Sequence, residues 1–151
     1  MVHADYTFYA ESYHGDELTE ATAAKWLERA SDYVDAITFH RTENTFPVEE
    51  KHVVKVKKAV CAIAEALMLI HQQEKALTAT LDAEGNAKAA IASMSSGRES
   101  VSFVNATNGS VYGRAAADRA ERDRLLYGIA VQYLADVPDS EGVNLLYAGV
   151  M

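Results

Sequence analysis

One cysteine, two prolines and no surplus of basic residues set the first limits on this 151-residue chain. With Cys61 alone, an internal disulfide is excluded, and a thiolate metal cluster would need several chains. Cys61 sits among alanines and valines, where it is expected as a small buried hydrophobe, unreactive because apolar surroundings disfavour the thiolate. Proline occurs only at positions 47 and 138, so long helices can run without interruption. Fourteen Lys and Arg stand against 22 Asp and Glu, a net charge of −8 with a pI near 5.0. That balance argues against a protein that grips nucleic acid through its phosphates. Long hydrophobic runs are missing too. The longest, Ala59 to Ile70, is interrupted by Glu65 and falls short of the ~20 residues a membrane span needs. The first residues show neither a basic nor an apolar leader segment, so the expectation is a soluble, intracellular protein.

Motifs for catalysis are equally scarce. There is no Gly-rich phosphate loop, no Gly-x-Ser-x-Gly elbow and no His-Glu-x-x-His. The five histidines (His3, His14, His40, His52, His71) are scattered. Glu49-x-x-His52 has the spacing of one di-iron ligand pair, but such a site takes two pairs and two further carboxylates from helix interiors. Here the only companion is a reversed pair, His71-Gln-Gln-Glu74. The expectation is no catalytic residue, no metal site and no cofactor. Glu65 is the odd residue of its apolar run; it is expected to snorkel or to pair with Lys or Arg, the alternative being a buried base.

What the chain does have is helical periodicity. From Pro47 to about Leu77, Val53, Val56, Val60, Ile63, Leu67 and Ile70 recur at steps of three and four, a core stripe along one long helix. Ala59, Ala62, Ala64 and Ala66 keep its flanks thin, so that another helix can come close. Upstream, Thr19 can cap a helix with Glu20 in its first turn and the series Ala23, Leu27, Ala30, Val34, Ile37 on one face. Trp26 and Tyr33 lie at the edge of that face and are expected half-buried. Thr42 to Pro47 reads as the turn joining the two helices into an antiparallel pair. Residues 1–18, with Tyr6, Phe8, Tyr9 and Tyr13, form an arm expected to dock on its own body, since each ring buries a large area and tyrosine also offers a hydroxyl.

Beyond Leu77 the pattern fades towards a stop at Gly85 and Asn86. Residues 87–96 read as irregular, Ser100 to Val104 as a short strand, and Asn105 to Ser110 as a loop. Arg114 to Ala135 is expected as a third helix, its first half alternating in charge and its second carrying Leu125, Leu126, Ile129, Tyr133 and Leu134. Pro138 and Gly142 end it. The remaining run, with Leu145, Leu146, Tyr147 and Val150, is too apolar for a frayed terminus and is expected to dock, on the core or on another subunit. The fold class is therefore mainly α, a small bundle of three to four helices with a short β-strand or hairpin between the second and last long helices. A single domain over 1–151 is expected, with 1–18 as arm and 136–151 as docking tail.

Taken in order, several patches resemble the head-to-tail connector (head completion or adaptor) proteins of long-tailed bacteriophages and their prophage relatives. They are Tyr9-x-x-x-Tyr13-His-Gly15, then Ala30-Ser-Asp-Tyr-Val-Asp35-Ala-Ile37-Thr38 with Arg41, and Val56 to Glu65 of the long helix. Ser96-Gly97-Arg98-Glu99-Ser100-Val101-Ser102-Phe103 follows, and the end combines Tyr133-Leu134-Ala135 with Leu145-Leu146-Tyr147-Ala148-Gly149-Val150. The stretch Asp136 to Asn144 is longer than usual for the family, and Ala148 replaces a usual basic residue. The resemblance implies a structural virion protein of the neck, not an enzyme. Its copies form a twelvefold ring below the portal protein, extend the DNA channel and present a surface to the next neck, stopper or tail-completion protein. It further implies that Gly97, Ser100, Val101 and Phe103 belong to an intersubunit or channel loop, and that Leu145, Leu146, Tyr147 and Val150 dock on the portal or a neighbouring adaptor. DNA passes without specific binding, an acidic channel keeping it from adhering; no membrane is involved. Two other classes compete: a metal-binding helical-bundle protein centred on Glu49, His52 and Glu65, and a cytosolic helical regulatory dimer joined through the Val53-to-Ile70 stripe.

Overall fold

The computed structural model describes residues 2–79 and 110–148. The protein is mainly α-helical. Six helices occur among the described residues: α1 (Tyr6–Glu11), α2 (Glu20–Ile37), α3 (Arg41–Asn44), α4 (Glu50–Ala79), α5 (Val111–Ala117) and α6 (Arg119–Leu134). The expected strand at Ser100–Val104 lies outside the described residues. Two compact units divide the chain, one of Met1–Met68 with Leu126–Met151 and one of Leu69–Leu125.

In the first unit, α1 and α2 start where a side chain can take up free amides. Asp5 accepts from the Phe8 amide at 2.8 Å and opens α1, a helix in what the sequence suggests is only an arm. Thr19 accepts from the Thr22 amide and Thr22 answers through its own hydroxyl, a capping box that opens α2 as expected. The short α3 replaces the expected turn after Arg41, and Pro47 is buried ahead of α4.

The buried face of α4 is wider than the predicted stripe. Val56, Val60, Ile63 and Ile70 are buried, but so are Ala59, Cys61, Ala64, Ala66 and Met68, while Val53 and Leu67 are only half-buried. Three of the four flanking alanines therefore lie inside the packed face, with only Ala62 half-buried at its margin, which is what close approach of neighbouring chain requires. On α2, Ala23, Leu27, Ala30 and Val34 are buried as the periodicity implies. Trp26 departs from expectation and is buried, at 5 % exposure. The Lys25 ammonium lies 4.5 Å and the Arg29 guanidinium 5.2 Å from its ring centroid, so long cationic side chains cover the indole.

A buried polar cluster ties the first residues to α2 and α3. His3 Nε2 lies 2.5 Å from Asp35 Oδ1, the Thr42 hydroxyl donates to the same oxygen, and the Ser31 hydroxyl accepts from the His3 amide. The Thr38 and Thr42 hydroxyls lie 3.0 Å apart, and the His3 ring stacks on Phe46. Partners on every side are what make these buried polar groups tolerable.

In the second unit, Ser110 caps α5 by accepting from the Gly113 amide at 2.8 Å. The single helix expected over Arg114–Ala135 is in fact two. Asp118 leaves helical geometry (φ −135°, ψ 119°) and its carboxylate accepts from the Ala120 amide at 2.9 Å. Asp prefers such a cap to a helix interior, and so α5 ends and α6 begins there. Arg122 of α6 pairs with Glu74 of α4. The predicted α6 stripe belongs, apart from Leu125, to the first unit; Leu126 and Leu134 are buried and Leu125, Ile129 and Tyr133 half-buried.

Gly15 has no room for a side chain. A β-carbon there would come within 2.2 Å of the Tyr9 ring, and Tyr9 is fully buried. Gly15→Ala is expected to destabilise the protein by about 1–3 kcal/mol, read as a lower denaturation midpoint by circular dichroism.

Candidate functional site

Two arrangements in the first unit concentrate its polar chemistry. The first is built on Glu65, the lone carboxylate of the apolar run in α4. Its Oε2 accepts from the Tyr9 hydroxyl at 2.8 Å and its Oε1 from the Tyr13 hydroxyl at 3.1 Å. The Tyr9 oxygen also accepts from the amides of Glu17 and Leu18, at 2.8 and 2.9 Å. The two rings stack with centroids 5.8 Å apart, and Lys57 of α4 lies 5.4 Å from the Phe8 ring. The arm thus docks on its own body, as expected, but Glu65 is held by phenols and not by the Lys or Arg the sequence suggests.

This hub is structural in its chemistry. Burial, first, and then the Glu65 hydrogen bond push the Tyr9 hydroxyl up to about 12, against two backbone amides that pull it down. Burial and the Glu65 charge raise Tyr13 further still. Burial, with the Glu65 and Asp5 charges behind it, pushes the Cys61 thiol up to about 12. A thiol so placed stays protonated at neutral pH and is no nucleophile.

The second arrangement is a hook at residues 135–148. Asp139 accepts from the Thr45 hydroxyl at 2.7 Å and from the Glu141 and Val143 amides at 2.9 Å each. Burial works to raise its carboxyl, but Thr45, these amides and Arg41 together hold it below the usual range. Pro138 and Asn144 form an isolated antiparallel bridge, and Gly142 takes φ +85° in the turn between them. The Asn144 side chain donates to the Ala135 carbonyl and accepts from the Leu146 amide. Arg41 Nη1 then donates to the carbonyls of Asn144 (3.1 Å), Leu145 (3.2 Å) and Tyr147. Its guanidinium lies 5.6 Å from the Phe39 ring centroid and 6.0 Å from that of Tyr147. Both rings are about half exposed, at 53 % and 52 %.

The residues predicted to dock are thereby sorted. Leu145 is fully buried in its own chain, which corrects its assignment to a portal or subunit contact: it anchors the hook. Leu146 is half-buried and Tyr147 exposed. Val150, together with Gly97, Ser100, Val101 and Phe103, lies outside the described residues. The core-stripe residues Val56, Val60, Ile63 and Ile70 are already buried, so the regulatory-dimer alternative lacks the open stripe it requires. Glu49 and His52 stand 4.0 Å apart, but Glu65 follows thirteen positions later on the same helix, roughly 20 Å along its axis. Those three side chains cannot share an ion. Among the described residues no group of three His, Cys, Asp or Glu could hold a metal ion, and no helix is long and apolar enough to cross a membrane.

Sequence reasoning missed Phe39, Thr45 and Asp139, and singled out Arg41 only as part of a resembling patch. One signal was present: Phe39 follows an amphipathic helix where a stop residue such as Gly is usual. Comparison with protein-family models, with curated proteins and with solved structures finds no match for this chain.

Because the folded protein raises the Tyr9 hydroxyl, it holds a proton there that the unfolded chain gives up near pH 10. The stabilisation is therefore complete below pH 10 and lost between about 10 and 12. Ultraviolet titration is expected to show Tyr9 and Tyr13 withheld from ionisation until the fold gives way. Glu65→Ala is expected to cost about 3 kcal/mol, since the buried Tyr9 phenol and the half-buried Tyr13 phenol lose a charged acceptor; urea denaturation measures it.

Proposed function

We propose that the protein is a head-to-tail connector of a long-tailed bacteriophage or prophage, a structural neck protein that rings below the portal and extends the DNA channel. One observation carries the reading. Residues from four of the five patches through which the sequence resembles that family are, among the described residues, partners of one another. Tyr9 and Tyr13 of the first patch donate to Glu65 of the long-helix patch, and Gly15 lies against the Tyr9 ring. Arg41, which closes the second patch, takes the backbone of Leu145 and Tyr147 in the last. A chance likeness of scattered short patches has no reason to pick out mutually contacting positions.

The hook supplies the docking surface in this reading. Leu145 roots it, and Tyr147, Arg41 and Phe39 form an exposed aromatic and cationic patch, the composition that dominates protein interfaces. The portal or the neighbouring adaptor covers that patch. The acidic balance of the chain keeps passing DNA from adhering.

Electron microscopy of concentrated protein, alone and with the portal vertex, is expected to show closed rings; their absence in both samples would sink the reading. Tyr147→Ala and Phe39→Ala are each expected to weaken portal binding about tenfold or more while leaving the thermal midpoint within a few degrees, as measured by co-sedimentation and calorimetry.

A further inference from the structure

Helix α2 ends in a way that its sequence makes costly. The His40 amide donates to the Asp35 carbonyl (2.7 Å) and the Phe39 amide to the Ala36 carbonyl (3.2 Å), the pair of reversed bonds that closes many helices through a left-handed residue. Glycine usually fills that position, because a β-carbon is crowded there. Here it is Phe39, at φ 57°, and His40 follows in the same region at φ 63°. Burial does not compensate, since Phe39 is half exposed. Two successive left-handed residues with side chains persist only where their surroundings over-determine them.

The next residue, Arg41, joins this turn to the hook. Arg41 donates to three carbonyls of the hook, and its guanidinium lies near the rings of both Phe39 and Tyr147. These are charge-assisted bonds to backbone, stronger than neutral ones and dependent on the guanidinium's position. That position follows from the turn. On the hook side, the Leu146 and Tyr147 amides return to Asn144, while burial falls off from Leu145, fully buried, through half-buried Leu146 to exposed Tyr147.

We infer that the left-handed turn at Phe39–His40 and the hook's last residues, 146–148, form one two-position element coupled through Arg41. With 146–148 seated, Arg41 holds the turn strained; with them released, Leu145 stays anchored, Arg41 loses the Tyr147 carbonyl and ring, and Phe39 and His40 relax towards ordinary backbone. The strain stored in the turn lowers the cost of releasing the hook's end, and seating that end restores the strain. Such coupling is reciprocal: whatever favours one position of the turn favours the matching position of the hook's end by the same factor. The element does not depend on the connector reading, because it concerns the free chain.

Amide hydrogen exchange by nuclear magnetic resonance on the full-length protein tests it from both ends. Leu146→Pro removes an amide that seats the hook's end, and the read-out is at Phe39 and His40, whose protection is expected to fall roughly tenfold. His40→Gly relieves the strain at the turn, and the read-out is at Leu146 and Tyr147, whose protection is expected to rise several-fold. Glu43→Ala removes the His40–Glu43 contact without touching the strain and is expected to leave 146 and 147 unchanged. Should Leu146→Pro disturb the whole unit, His40→Gly decides alone. Protection at 146 and 147 no higher in His40→Gly than in the parent overturns the coupling, even where rings form on the portal. A rise in that protection supports it, even where no rings form.

Discussion

A carboxylate in the middle of an apolar helix needs hydrogen-bond donors, and the first unit is arranged to bring them to Glu65. Desolvating that group without partners would cost more than most single core side chains contribute. Two phenols reach it from the N-terminal arm, and the same Tyr9 oxygen collects the amides that lead into α2. One acid group thus fixes the arm, the entry to α2 and the face of α4 they share. Gly15 follows from this constraint, since the chain turns directly over the Tyr9 ring.

The helices were legible in the sequence to the extent that their causes are local. Thr19 as a cap, the α2 face from Ala23 to Val34 and the buried side of α4 all follow from spacing and side-chain chemistry within a few turns. What was not legible depends on distant partners. The donors to Glu65 lie 56 and 52 residues away, and nothing near position 65 distinguishes a phenol from the Lys or Arg that commonly fills the role. Asp118 is a different case, because Asp tolerates both a helix surface and a cap, and charge alternation around it favours the longer helix. Trp26 looked peripheral on a helical wheel, yet Lys25 and Arg29 lie over it, a shielding that periodicity does not register.

The tail shows how an apolar terminus can serve two purposes. Leu145 settles the question of docking for itself by entering the core, but the two residues after it remain at the surface beside Phe39 and Arg41. The functional reading rests on that division between root and display, and on the coincidence of resembling patches with contacting residues. Anchoring through Asp139 and Thr45 also lets the hook hold its shape without a strand beside it.

The burial of Trp26 has a practical side. It is the sole tryptophan of the chain, and it belongs to the first unit. Indole fluorescence is therefore an intrinsic reporter of that unit alone, whereas far-ultraviolet ellipticity samples the helices of both, so a mismatch between the two melting curves would resolve whether the units lose structure together or one after the other.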